Sequence, residues 1–176
     1  AHAVESYTAT PFNSRPRPDR PLMRPAYQGS NPISDIWSLQ AMRMVAQYLV
    51  RSVEHPDDDE ARGMMILAAS YAGVGFGNAG VHLCHGMSYP VSGMVREFKP
   101  PGYEIDHAIV PHGMSVILNA PAVFRFTARA CPDRHLAAAE ALGADVSGVA
   151  DVGTVLADCI IEFMRRLKVP NGLSAV

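Results

Sequence analysis

Apolar residues recur at three- and four-residue spacing along most of this chain and nowhere alternate long enough to make a strand, a pattern that restricts the fold to packed helices. Trp37, Ala41, Met44, Val45, Tyr48 and Leu49, followed by Ser52, show the spacing most clearly. Asn31-Pro32 supplies a side-chain cap and a proline at the first helical position, so a helix is expected from there to about residue 55. The acidic run 57–60 suits a helix N-terminus, and a small-residue-rich helix is expected over 64–79. Further helices are expected over 80–95, bent or ended near Pro90 and Gly93; over 111–128, kinked at Pro121; over 132–142, with Gly143 as the stop; and over 151–168. Residues 1–9 read as the tail of a helix, 96–110 as a polar loop. Prolines 11, 16, 18, 21 and 25 make the stretch before Asn31 a stiff loop. The expected fold is all-α, one helical-bundle domain over 1–176, truncated at both ends because it opens inside a helix and closes on a loop.

At 176 residues and 48% hydrophobic content the chain can bury one core. A formal charge of −2 without a basic block gives neither nucleic acid nor an anionic membrane surface a reason to bind. No apolar run reaches the roughly 18 residues that span a bilayer. Three cysteines make neither a disulfide framework nor a cysteine-rich zinc module, and an intracellular location is expected.

Chemistry is sought among seven histidines. His2, His85 and His112 each lie in or at the start of an expected helix beside small residues (Ala1 and Ala3, Gly86, Gly113), which lets side chains approach a common centre. Three neutral imidazoles suit Zn²⁺ or Fe²⁺. Taken singly, any of them is more often a hydrogen-bonded structural residue. His82-x-x-His85 places two rings on one face if both are helical; His82 is read as a packing residue rather than a ligand. His55 and His135 are read as solvated residues at helix boundaries, and His107 as a loop residue facing water. Cys84 is read as a small buried hydrophobe. Gly73-Val-Gly-Phe-Gly-Asn78 has neither the preceding strand nor the spacing of a dinucleotide fingerprint, and is read as helix packing.

Longer segments carry a more specific likeness. His2-Ala-Val-Glu-Ser-Tyr7 resembles the second half of the metal helix, D-x-x-x-H-A-x-E, of iron-type NAD-dependent alcohol dehydrogenases. Phe76-Gly-Asn-Ala-Gly-Val-His-Leu-Cys-His-Gly-Met87 resembles that family's second metal segment and Pro111-His-Gly113 its third. The proline-rich loop 11–31 and the long stretch between His85 and His112 are similar to the hydroxyacid-oxoacid transhydrogenase branch. The family pattern carries a further histidine where this chain has Tyr89, so the proton-relay role of that histidine does not transfer directly.

The resemblance implies a helical metal-binding domain in which His2, His85 and His112 hold a divalent metal, Fe²⁺ or Zn²⁺. It also implies an N-terminal Rossmann-like domain holding NAD, with Phe76 as a cofactor contact; Tyr89, which departs from the family pattern, is read either as a catalytic hydrogen-bond donor or as a packing residue. The implied reaction passes hydride from a hydroxyacid such as 4-hydroxybutyrate through NAD to an oxoacid such as 2-oxoglutarate. The implied setting is a homo-oligomer in the cytoplasm of bacteria or the mitochondrial matrix of eukaryotes. Among Arg15, Arg17, Arg20, Arg24, Arg96 and Lys99, at least one is expected to meet a substrate carboxylate. The rival readings are an ordinary NAD-dependent alcohol or aldehyde dehydrogenase and a noncatalytic helical metal-binding piece.

Overall fold

Seven residues, His2–Thr8, form a helix (α1) far too short to persist alone, and it exists because the rest of the chain encloses it. Every residue from Ala3 to Thr8 is buried, and α1 packs on three longer helices at once. Its polar side chains therefore need partners inside the protein. The Ser6 hydroxyl meets that of Ser38 at 3.0 Å, and Thr8 Oγ1 donates to the Val4 carbonyl at 2.7 Å. Arg134 Nε donates to the Tyr7 carbonyl at 2.5 Å, with its guanidinium 3.9 Å over the Tyr7 ring.

The computed structural model covers residues 1–176 and is all helix and loop; the one β-bridge is isolated, between Pro11 and Ser30. α2 (Pro32–Glu54) begins where Asn31 Oδ1 accepts the Ser34 amide, with Pro32 needing no donor partner. α3 (Asp59–Ala79), capped by Asp58, folds back along α2. Of the four glycines in α3 only Gly75 meets the neighbouring helix, where a Cβ would lie 2.4 Å from Ser38 Oγ; Gly63, Gly73 and Gly77 face open space. The chain then turns through 108° into α4 (Leu83–Met94). Gly80 makes that turn possible, since its φ is +102° and a Cβ there would strike the Tyr27 ring.

α5 (His112–Ile117) and α6 (Ala120–Thr127) are separate helices, not one helix kinked at Pro121. The break precedes the proline, at Leu118 and Asn119, because Pro121 tolerates only the first turn of a new helix. α7 (Pro132–Ala141) ends at Gly143, whose φ of +93° lets the Ala144 amide reach the Ala139 carbonyl at 3.0 Å. α8 (Val152–Arg166) lays Leu156, Ile160 and Met164 into the core around Phe124 and Met42.

His135 corrects an expectation. It is wholly buried rather than solvated, with Nε2 2.9 Å from Thr127 Oγ1 and its ring edge-on to Phe124 at 6.1 Å. Its position one turn into α7 looked polar in sequence, but α6 covers that face. His55 and His107 are exposed, as read. Cys84 is fully buried, and burial raises its thiol pKa. No single helix is long and apolar enough to cross a membrane.

Candidate metal centre

Three elements that are distant in sequence bring their first helical turns together. His2 opens α1, His112 opens α5, and His85 lies in the first turn of α4. One potential ligand nitrogen from each lies within 4.8 Å of the others. Nε2 of His2 and Nε2 of His85 are 2.9 Å apart, and the rings of His85 and His112 are 5.5 Å apart, centre to centre. Burial grades across the set: His85 is buried, His2 half-buried and His112 exposed, so the centre has a protein side and an open side. A cavity of 230 Å³ lies against these three rings and Gly113. Phe76 is stacked on His2 at 4.4 Å with the ring planes 21° apart.

Burial, and then the neighbouring His85, hold the His2 imidazole down to a pKa of about 4, which leaves it a neutral donor at ordinary pH. Three imidazole nitrogens within this span fit a divalent transition ion held about 2.1 Å from each.

His82 does not share this centre. It stands before the first residue of α4 with φ −137° and ψ −121°, so the expectation that both rings of the H-x-x-H pair lie on one helical face fails. Its ring is edge-on to Phe124 at 6.1 Å, and its Nε2 is 3.0 Å from Thr8 Oγ1. Thr8 gives its own hydrogen to Val4, so His82 Nε2 carries the donor hydrogen in this pair. His82 Nδ1 is left buried without a partner, 3.6 Å from Glu5 Oε1. The packing role read for His82 is the one it has here.

Sequence reasoning gave Glu5 no role, although it is the final acid of the H-A-x-E pattern that begins at His2. Its carboxylate is fully buried and accepts the backbone amides of His82 at 2.9 Å and His85 at 3.3 Å, and Oε2 is hydrogen-bonded to His85 Nδ1. The available signal was an acid in an otherwise small and apolar run, Ala3-Val4-Glu5, three residues after His2.

Tyr89 lies one turn beyond His85 on α4 and is 71% exposed. Of the six cations in the two long loops, Arg15 is engaged by the Tyr27 carbonyl and ring, and Lys99 by the Ile105 carbonyl at 3.2 Å. Arg17, Arg20, Arg24 and Arg96 are exposed. The glycines 73, 75 and 77 run inside α3 and form no phosphate loop.

Residues 26–176 match the family model described as Fe-containing alcohol dehydrogenase family, C-terminal. The chain is 59% identical over 178 residues to the mitochondrial hydroxyacid-oxoacid transhydrogenase of Xenopus tropicalis and 58% identical to that of Homo sapiens. Each alignment covers 99% of this chain and 38% of the relative, so the chain spans well under half their length. The alcohol dehydrogenase from Oenococcus oeni has the same fold with a TM-score of 0.76 at 22% identity, over 98% of this chain and 38% of that one.

Proposed function

The chain belongs to the Fe-containing alcohol dehydrogenase family, and from that premise we propose that it supplies the metal-binding half of an oxidoreductase that acts as a hydroxyacid-oxoacid transhydrogenase. The observation that carries the reading is the meeting of His2, His85 and His112 from three helices at one cavity. These three imidazoles would hold Fe²⁺ or Zn²⁺. When bound, the ion would act as a Lewis acid on a substrate oxygen, favouring an alkoxide over a hydroxyl and polarising a carbonyl.

The protein side of the centre keeps His85 in place, and the exposed side at His112 leaves room for a small hydroxyacid or oxoacid. Phe76 shields His2 and is assigned to the nicotinamide side of the cleft. Tyr89 can offer a hydroxyl to substrate, and Arg24 and Arg96 are free cations for a carboxylate. NAD binding is assigned, on the family likeness, to a Rossmann-like domain of the full-length enzyme. The names of the relatives support a mitochondrial setting.

Two measurements test the proposal. Metal titration of the protein should give one bound divalent ion, held at least about a hundredfold more weakly when His2, His85 or His112 is replaced by alanine. Turnover of 4-hydroxybutyrate with 2-oxoglutarate, without added NAD, should proceed; a strict need for free NAD would return the protein to an ordinary alcohol dehydrogenase, and no metal binding would remove the reading.

A further inference from the structure

An imidazole can ligate through Nε2 only when its hydrogen sits on Nδ1, so the partner of Nδ1 decides whether the ring is a ligand at all. His85 meets that partner in Glu5. We infer that Glu5 is a positioning residue that fixes the tautomer and the rotation of His85, and thereby builds the buried side of the metal centre. The inference rests on the metal-binding reading above.

Three observations carry it. Glu5 is 0% exposed, and no lysine or arginine pairs with it; its three hydrogen-bonding partners are the two backbone amides and the imidazole. A buried carboxylate without a cation is costly, and such a group is retained where its acceptor oxygens are needed. Secondly, its two oxygens divide the work. Oε1 accepts from His82 N and His85 N, satisfying amides at the start of α4 that no side chain of that helix reaches. Oε2 is left for His85 Nδ1, and the opposite edge of the ring then turns Nε2 toward His2. Thirdly, the other imidazole near Glu5 is not its partner. His82 spends its ring hydrogen on Thr8, and its Nδ1 remains 3.6 Å from Oε1. One carboxylate thus joins α1 to α4 and sets the direction of a lone pair.

Glu5→Gln separates the two tasks. The amide oxygen can still receive the α4 backbone amides, but its NH2 group faces His85 Nδ1 and favours the tautomer with hydrogen on Nε2, which cannot bind a metal. With Co²⁺ as probe and a competing chelator, the variant should bind about 10- to 100-fold more weakly than wild type. Its helical circular dichroism should be kept. In a His85→Ala background the same change should alter Co²⁺ affinity by less than about twofold, because Glu5 acts through His85. Unchanged affinity in E5Q, or an equal loss in the His85→Ala background, overturns the inference.

If E5Q fails to fold, long-range proton–nitrogen spectra of the metal-free wild type decide. Hydrogen on His85 Nδ1 supports the inference and hydrogen on Nε2 overturns it. A wild-type protein that binds no Co²⁺ overturns both this inference and the metal-binding reading. A wild type that binds it as tightly as E5Q does overturns this one alone.

Discussion

His82 and His85 are three residues apart and serve different neighbourhoods: His85 faces His2 and His112, while His82 is packed edge-on against Phe124 and bonded to Thr8. Replacing each by alanine should separate the two roles. His85→Ala removes a ligand and should weaken divalent metal binding by at least about a hundredfold, by analogy with the loss expected for even an outer partner. His82→Ala should leave affinity within a few-fold of wild type and cost about 1–3 kcal/mol of stability through the lost ring contact and the cavity left beside Phe124. Isothermal titration and thermal denaturation of the two variants check this; a metal defect in His82→Ala equal to that of His85→Ala would place both rings in the centre.

The crossing of α2 and α3 depends on the missing side chain at Gly75. Alanine there would place a methyl 2.4 Å from Ser38 Oγ and 3.4 Å from the Ser34 carbonyl. Overpacking of this kind costs about 1–3 kcal/mol, more than the roughly 0.5–1 kcal/mol that alanine gains over glycine within a helix, so Gly75→Ala should lower stability. Gly73→Ala and Gly77→Ala have nothing within 4 Å and should raise it by about 0.5–1 kcal/mol. Denaturant midpoints of the three variants give the comparison, and a stabilised Gly75→Ala would show that the helices can separate freely.

Asn31 fastens the proline-rich loop as well as capping α2. Its Oδ1 accepts the Ser34 amide, and its Nδ2 donates to the carbonyls of Asn78 at 2.9 Å and Gly29 at 3.1 Å. Asn31→Ala should cost about 0.5–2 kcal/mol for the cap alone. It should also loosen the base of the loop, where Gly29 N donates to the Ala79 carbonyl at 2.7 Å. Limited chymotrypsin digestion should then cut faster at the exposed Phe12 and Leu22. An unchanged cutting rate would mean that the Pro11–Ser30 bridge holds the loop without Asn31.

Most helix boundaries were legible in the sequence because capping is a local matter: Asn31, Asp151 and Pro132 at starts and Gly143 at a stop each act within a few residues of themselves. The same locality misplaced the break near Pro121, which falls at Leu118 and Asn119, ahead of the first turn that holds the proline. His2, His85 and His112 were drawn together by small neighbours and by likeness to known segments, not by spacing. What stayed hidden depends on contacts across the fold. The burial of His135 is made by Phe124 and Thr127 of α6, and the opposed directions of His82 and His85 by the backbone bend before α4. Glu5 meets α4 only once α1 is enclosed, so no local pattern identifies its partners.

The buried His135 should make stability fall on the acid side of neutrality. Burial lowers its pKa from the ordinary value of 6.5, with a partial offset from its hydrogen bond to the Cys131 carbonyl. The folded protein therefore keeps the ring neutral at pH values where the unfolded chain already binds a proton. Because the unfolded state binds more protons in that window, the contribution is complete above pH 6.5 and is lost as pH falls from there toward the folded value. The slope for one such group is at most roughly 1.4 kcal/mol per pH unit. His82, lowered by burial in the same direction, adds to it. His135→Gln should be less stable than wild type at pH 8 because it disturbs the contacts with Thr127 and Phe124, yet its unfolding midpoint should decline less steeply between pH 6.5 and 5. Parallel declines in the two proteins would mean that His135 is not among the groups responsible.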